Sequence, residues 1–295
     1  MRDNAYGAFA NLGSALAPVR GVRLDGGGFF ASKGAAFSLI LILLVLAVSA
    51  LAPLLMPHER DAMNLDSILA PPSAEHVLGT DDLGRDVFTR LIYAGRFSML
   101  VALCAVAIAL AIGVLLGAVA GYFGGAADAA IAVVIDLFLS VPVFLVLLVA
   151  ASAGGGRIWI VPLVIGGTSW METARVVRSI LIPLREEGFV EAARAAGAKD
   201  ARIVVRHMLP QALPAVVVSA TVGFAQAMLA ESALSFLGFG VQPPVPTWGN
   251  MLQNAHAFIG RAPLAAIVPG FMIFITCLAF NYVGEGLRRE LAIER

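Results

Sequence analysis

EAARAAGAKDARIVVRHMLP, residues 191–210, is a polar stretch lodged between long apolar runs, and its reading decides the fold. Glu186 and Glu187 suit the positive N-terminal end of a helix opening there. Phe189, Val190, Ala192, Ala193 and Ala196 then give that helix a compact surface that a second protein's backbone could approach closely. Gly197 suits a left-handed C-terminal cap, and Asp200 is placed to cap a second helix. Pro210 biases Leu209 away from helix and is expected to end the second helix. The stretch therefore reads as helix, turn, helix, stop, and such a segment between membrane spans needs a partner.

Composition supplies the spans. Hydrophobic residues make up 59% of the chain and charged residues 14%, against about 25% charged in soluble domains, so this is a polytopic all-α membrane protein. A span needs about 20 mostly apolar residues. Residues 34–57, 97–127, 129–156, 208–230 and 262–284 meet that need, and the shorter run 158–174 makes a sixth. An even count also keeps the basic residues of the arm, of 191–210 and of the tail on one side of the membrane. Fourteen of the 20 Lys and Arg residues then share that side, which the positive-inside rule makes cytoplasmic. The expected order is a cytoplasmic arm over 1–33, a first span over 34–57, an outer loop over 58–96, a five-span core over 97–284 and a tail over 285–295. Val48-Ser49-Ala50-Leu51-Ala52 resembles a signal-peptidase site, but the charged leader and the apolar run before it are both too long for a signal peptide. Zero net charge gives no footprint for nucleic acid.

Three stretches carry a family resemblance. Glu191-Ala192-Ala193, Gly197 and Leu209-Pro210 fall on the pattern of the cytoplasmic coupling loop of ABC-type importer permeases, here at about residues 175–207. His207 departs from the isoleucine of the general pattern, but Arg206-His207 is similar to the peptide and nickel branch. Residues 78–86, LGTDDLGRD, and 231–249, ESALSFLGFGVQPPVPTWG, resemble two further signatures of that branch's second-subunit type. The resemblance implies a type I ABC importer permease fold with six transmembrane helices. It also implies a homologous second permease subunit, two ABC ATPases docked on the coupling loop, an extracytoplasmic substrate-binding protein and a bacterial inner-membrane location. Glu191, Ala192, Ala193, Gly197, His207, Leu209 and Pro210 are then the ATPase-coupling residues, with a mechanical role. No cofactor is implied, and the chain carries no phosphate-loop motif for binding ATP.

Ionisable groups inside a span default to functional candidates. Asp136, six residues before Pro142, either lines a translocation path or hydrogen-bonds a neighbouring helix. Glu231, with Ser235 and Gly238 after it, shapes an outer gate or caps the interface. Pro243, Pro244 and Trp248 are candidates for meeting the binding protein, because prolines stiffen a loop and Trp favours interfaces. Gly113, Gly117 and Gly121, four apart, permit close helix packing within the subunit or against a second one. Cys104 and Cys277 read as small packing residues. His58, His76, His207 and His256 show no metal-ligand spacing, and Ser235 has no partnered histidine for hydrolase chemistry. A proton-driven secondary transporter with Asp136 or Glu231 as carrier is the alternative, although the two halves show no repeat. A membrane-bound assembly factor is a third class.

Overall fold

The computed structural model describes residues 33–56, 58–153 and 158–293. The arm expected over 1–33 and the end of the tail thus lie largely outside the described residues. Those described are helical, with no strand and one isolated bridge between Thr80 and Asp86. In chain order the helices are α1 (Lys33–Ala50), α2 (Ala52–Leu55), α3 (Val87–Phe123), α4 (Gly125–Ser140), α5 (Val143–Ala153) and α6 (Ile160–Leu184). There follow α7 (Gly188–Ala195), α8 (Asp200–Ile203), α9 (Leu209–Phe236), α10 (Trp248–His256) and α11 (Leu264–Ile293).

Among the described residues, α1, α3, the run Asp200–Phe236 and α11 are each long and apolar enough to cross a membrane, and the bent pair α4–α5 makes a fifth crossing if it counts as one. The run expected over 129–156 is therefore not one straight span: α4 and α5 meet at 82°. Pro142 explains the break, since it holds Val141 extended (φ −101°, ψ 134°) and lacks an N–H to continue the helix.

Four helices, α3, α6, α9 and α11, outgrow their apolar runs, and in α3 and α6 the added turns carry paired charges. Helix α3 begins at Val87, ahead of the expected 97, although this brings Arg90 into its first turns. Arg90 is buried, with Nη1 3.2 Å from Asp61 Oδ1 and Nε 3.6 Å from Asp81 Oδ2. Helix α6 runs past Ala174 to Leu184, and its Arg175 and Arg178 pair with Asp136 and Asp128 of α4.

The centre of the bundle is the contact of α3 with α6. Glycines make it possible: a Cβ on Gly113, Gly117 or Gly121 would fall 2.6–2.7 Å from α6 atoms of Thr173, Trp170, Ala174 or Leu181. The glycine ladder thus serves packing within the subunit. Because the pairs advance together, from Gly166 against Ala105 to Gly121 against Leu181, α3 and α6 run parallel. The chain between them must cross back, which is the work of α4 and α5. Helix α1 lies antiparallel to α11, with Ala35 and Ile42 packed among Ala279 and Val283.

Candidate functional site

Two sites stand at opposite ends of the bundle. At one, α6 ends, α7 follows, and Gly197 takes φ +80°. The N–H of Ala198 donates to Ala193 O (3.0 Å) and that of Gly197 to Arg194 O (2.9 Å), the paired bonds of a Schellman cap. The hairpin sits on an apolar seat: Val190, Ile203 and Met208 are buried with Tyr122 of α3 and Val177 and Leu181 of α6. Its far face is open, exposing Glu191, Ala192, Arg194, Lys199, Arg206, His207 and Pro210. Ala193 and Leu209 are half-buried against the seat, so of the seven coupling candidates they are the two turned inward.

Asp200 does not cap α8 with its side chain; the cap position is Lys199. Its carboxylate instead accepts a 2.6 Å hydrogen bond from the Tyr122 hydroxyl, and the Arg194 guanidinium lies over the Tyr122 ring, 5.4 Å from its centre. These contacts tie the hairpin to the end of α3. Nor does Leu209-Pro210 end the helix. Residues Val204–Met208 form a π-helical turn, closed by Leu209 N–H to Val204 O, and α9 continues directly from it. The wider turn changes the register of backbone bonding just before Pro210, a residue that would disrupt an ordinary α-helical interior. The hairpin and the span are therefore one continuous helical run from Asp200 to Phe236.

At the other end of α9, Glu231 is fully buried rather than interfacial. Its Oε1 accepts from Ser235 Oγ at 2.7 Å, and the hydroxyls of Ser98, Ser232 and Thr247 surround the carboxyl. The helix closes at Gly238 (φ +82°), where Phe239 N–H donates to Leu234 O at 2.8 Å in a second Schellman cap. Thr247 and Asn250 form a capping box that starts α10, and Asn250 Nδ2 also donates to Val241 O and Val245 O. Pro243 and Pro244 are exposed on this turn. Trp248 is not: it is 1% exposed, with its backbone N–H on Ser98 Oγ and its Nε1–H on Leu91 O, both at 3.0 Å. The expectation that Trp248 meets a partner is corrected, because its indole is spent inside the subunit, pinning α10 to α3.

Asp136 lies on an open face of α4, 2.8 Å from the Arg175 guanidinium, so it bonds a neighbouring helix. Spacing along the chain concealed one further cluster, since His58, His76 and Asp86 follow no metal-ligand motif and yet come together in space.

A family described as "Binding-protein-dependent transport system inner membrane component" matches residues 113–292, and one described as "N-terminal TM domain of oligopeptide transport permease C" matches 28–72. The chain is 41% identical to "Dipeptide transport system permease protein DppC" of Alkalihalophilus pseudofirmus, over 88% of this chain and 86% of that one. It is 35% identical to "Oligopeptide transport system permease protein OppC" of Mycobacterium tuberculosis, over 89% and 91%. Among solved structures, a chain of the MetNI methionine ABC transporter in an inward-facing conformation aligns with a TM-score of 0.55 at 20% identity, covering 69% of this chain and 97% of that one.

Proposed function

The chain belongs to the family of inner-membrane components of binding-protein-dependent transport systems, and on that premise we propose that it forms half of the membrane pathway of a peptide importer. The observation that carries this reading is the hairpin of α7 and α8: anchored on one face, open on the other, and continuous with a span. Such an element can receive a push and cannot absorb it.

Two ATPase subunits dock on the open face, around Glu191, Ala192 and His207, and hydrolyse the ATP. Their closure moves the hairpin as a rigid body. Tyr122, Val177 and Leu181 pass the displacement to α3 and α6, while the continuous run Asp200–Phe236 carries it roughly 55 Å along its 37 residues to the turn beyond Glu231. Pro243 and Pro244 on that turn face the substrate-binding protein. A homologous second permease completes the pathway. Apolar side chains exposed on α3, Leu103, Leu115 and Phe123 among them, supply surface for that subunit or for lipid.

The packing supports a six-crossing topology, with α6 taken as a span beside the five apolar crossings. Parallel α3 and α6 require α4–α5 to cross between them; with α1, α9 and α11 this gives six crossings. The start of α1, the hairpin and the end of α11 then share the cytoplasmic side of a bacterial inner membrane.

Reconstitution tests the reading. The chain, its second permease and both ATPases are placed in proteoliposomes with the binding protein and a labelled dipeptide. ATP-driven uptake that is lost when any one component is omitted is the expected result. Uptake driven by a proton gradient without the ATPases would overturn the proposal in favour of a secondary transporter.

A further inference from the structure

Between α2 and α3 the chain folds into a firm outer layer rather than an open loop. Thr80 N–H donates to Ala70 O and Leu69 N–H to Asp81 O, both at 3.1 Å, while Ser73 N–H donates to His76 O at 2.9 Å. Asp81 Oδ1 accepts from the N–H groups of Leu83 and Arg85. This framework brings three side chains with metal-binding chemistry to one place. His76 Nδ1 stands 3.0 Å from Asp86 Oδ1, and the His58 and His76 rings are 5.1 Å apart centre to centre. One ligand atom from each of His58, His76 and Asp86 lies within 4.8 Å of the others.

The geometry points to a binding site for a zinc-class divalent metal ion formed by His58, His76 and Asp86. Bond lengths of about 2.0–2.2 Å to nitrogen and oxygen at a tetrahedral ion place neighbouring ligand atoms roughly 3.3 Å apart. The pair His76–Asp86 is already near that spacing. The proposed site needs a rotation of the half-buried His58 side chain away from Glu75 O, its 3.1 Å partner, to close the two edges from His58. The carboxylate is held ready: Asp86 Oδ2 accepts from Thr89 N–H at 2.7 Å as the N-cap of α3, leaving Oδ1 turned toward His76. Two imidazoles and one carboxylate suit zinc and its neighbours among the transition metals. They do not suit calcium or magnesium, which take mainly oxygen ligands. The three protein ligands leave one position for water, and an ion there would cross-link the segment leaving α2 to the first turn of α3. The site is independent of the transport reading, because nothing in it touches the docking hairpin.

The test is a titration of the full chain, purified in detergent with its second permease, free of affinity tag and stripped with EDTA. Zinc ion competed against a chromophoric chelator is expected to bind one per chain with an affinity at least tenfold above that of either His58→Gln or His76→Gln. Cobalt ion is expected to give a visible ligand-field spectrum that both variants lack. Neither substitution removes the Asp86 cap, and an unchanged melting temperature of the stripped variants separates lost binding from misfolding. Equal zinc affinity in all three proteins would overturn the site, assigning the ion to exposed histidines such as His207 and His256. So would failure of the unaltered chain to bind zinc, or displacement of zinc by millimolar calcium.

Discussion

At the residue scale the account rests on positions whose chemistry admits few substitutes. Gly197 at φ +80° has no neighbouring atom within 4 Å of a built Cβ, so its constraint is backbone conformation alone. Replacing it with valine is expected to cost about 1 kcal/mol or more locally. The variant should insert and melt as the parent does while retaining less ATPase in pull-downs from detergent. Trp248→Ala should act in the opposite way, removing a buried indole and its bond to Leu91 O at a cost of about 3–5 kcal/mol. A lowered melting temperature with an unaltered site for the ATPases is the expected result. Of these two roles the sequence disclosed one. A glycine after an alanine-rich helix has a single common use, whereas a tryptophan beside three prolines reads equally well as surface or as core until its partners Ser98 and Leu91 are brought beside it.

At the element scale, apolar runs located the spans but misjudged their ends, because the ends depend on charges meeting each other across helices. Arg90 lengthens α3 only when Asp61 and Asp81 are folded over it, and Arg175 and Arg178 lengthen α6 only against α4. Pro142 and Pro210 differ although both are prolines near apolar runs: one breaks a span by 82°, the other is carried inside a helix by a π turn, and residue type alone does not separate the two outcomes. The glycine ladder offers a direct test of the α3–α6 contact. Gly117→Ala places a Cβ 2.6 Å from Ala174 O and should lower the melting temperature, whereas Gly167→Ala on α6, with nothing within 4 Å, should leave it unchanged.

At the scale of the whole molecule, one end of the bundle gathers the docking hairpin, and the other gathers the Glu231 turn and the layer that contains His58, His76 and Asp86. The family motifs drew attention to both ends in the sequence, since each lies within one short stretch, but they did not disclose that Glu231 and Trp248 are buried. The His and Asp cluster was not legible, since its residues follow no metal-ligand spacing and the folded segment before α3 alone brings them together. In a background with Cys104 and Cys277 replaced, cysteine at Ser73 should react with an impermeant reagent from outside and cysteine at Ala198 should not; the reverse would contradict the orientation, and labelling of both would contradict six crossings. The central claim is that the hairpin couples ATP hydrolysis to transport, and Glu191→Lys tests it most directly. Glu191 is exposed, so the change reverses a charge on the proposed docking face without disturbing the seat beneath, and an unpaired or like-charge contact with a docked partner there is expected to cost several kcal/mol. Peptide uptake and ATPase retention are measured together in the reconstituted complex. The account predicts normal insertion and pairing with the second permease, with uptake lost and the ATPases either released or hydrolysing ATP without transport; wild-type ATP-driven uptake by a normally inserted Glu191→Lys subunit would contradict it.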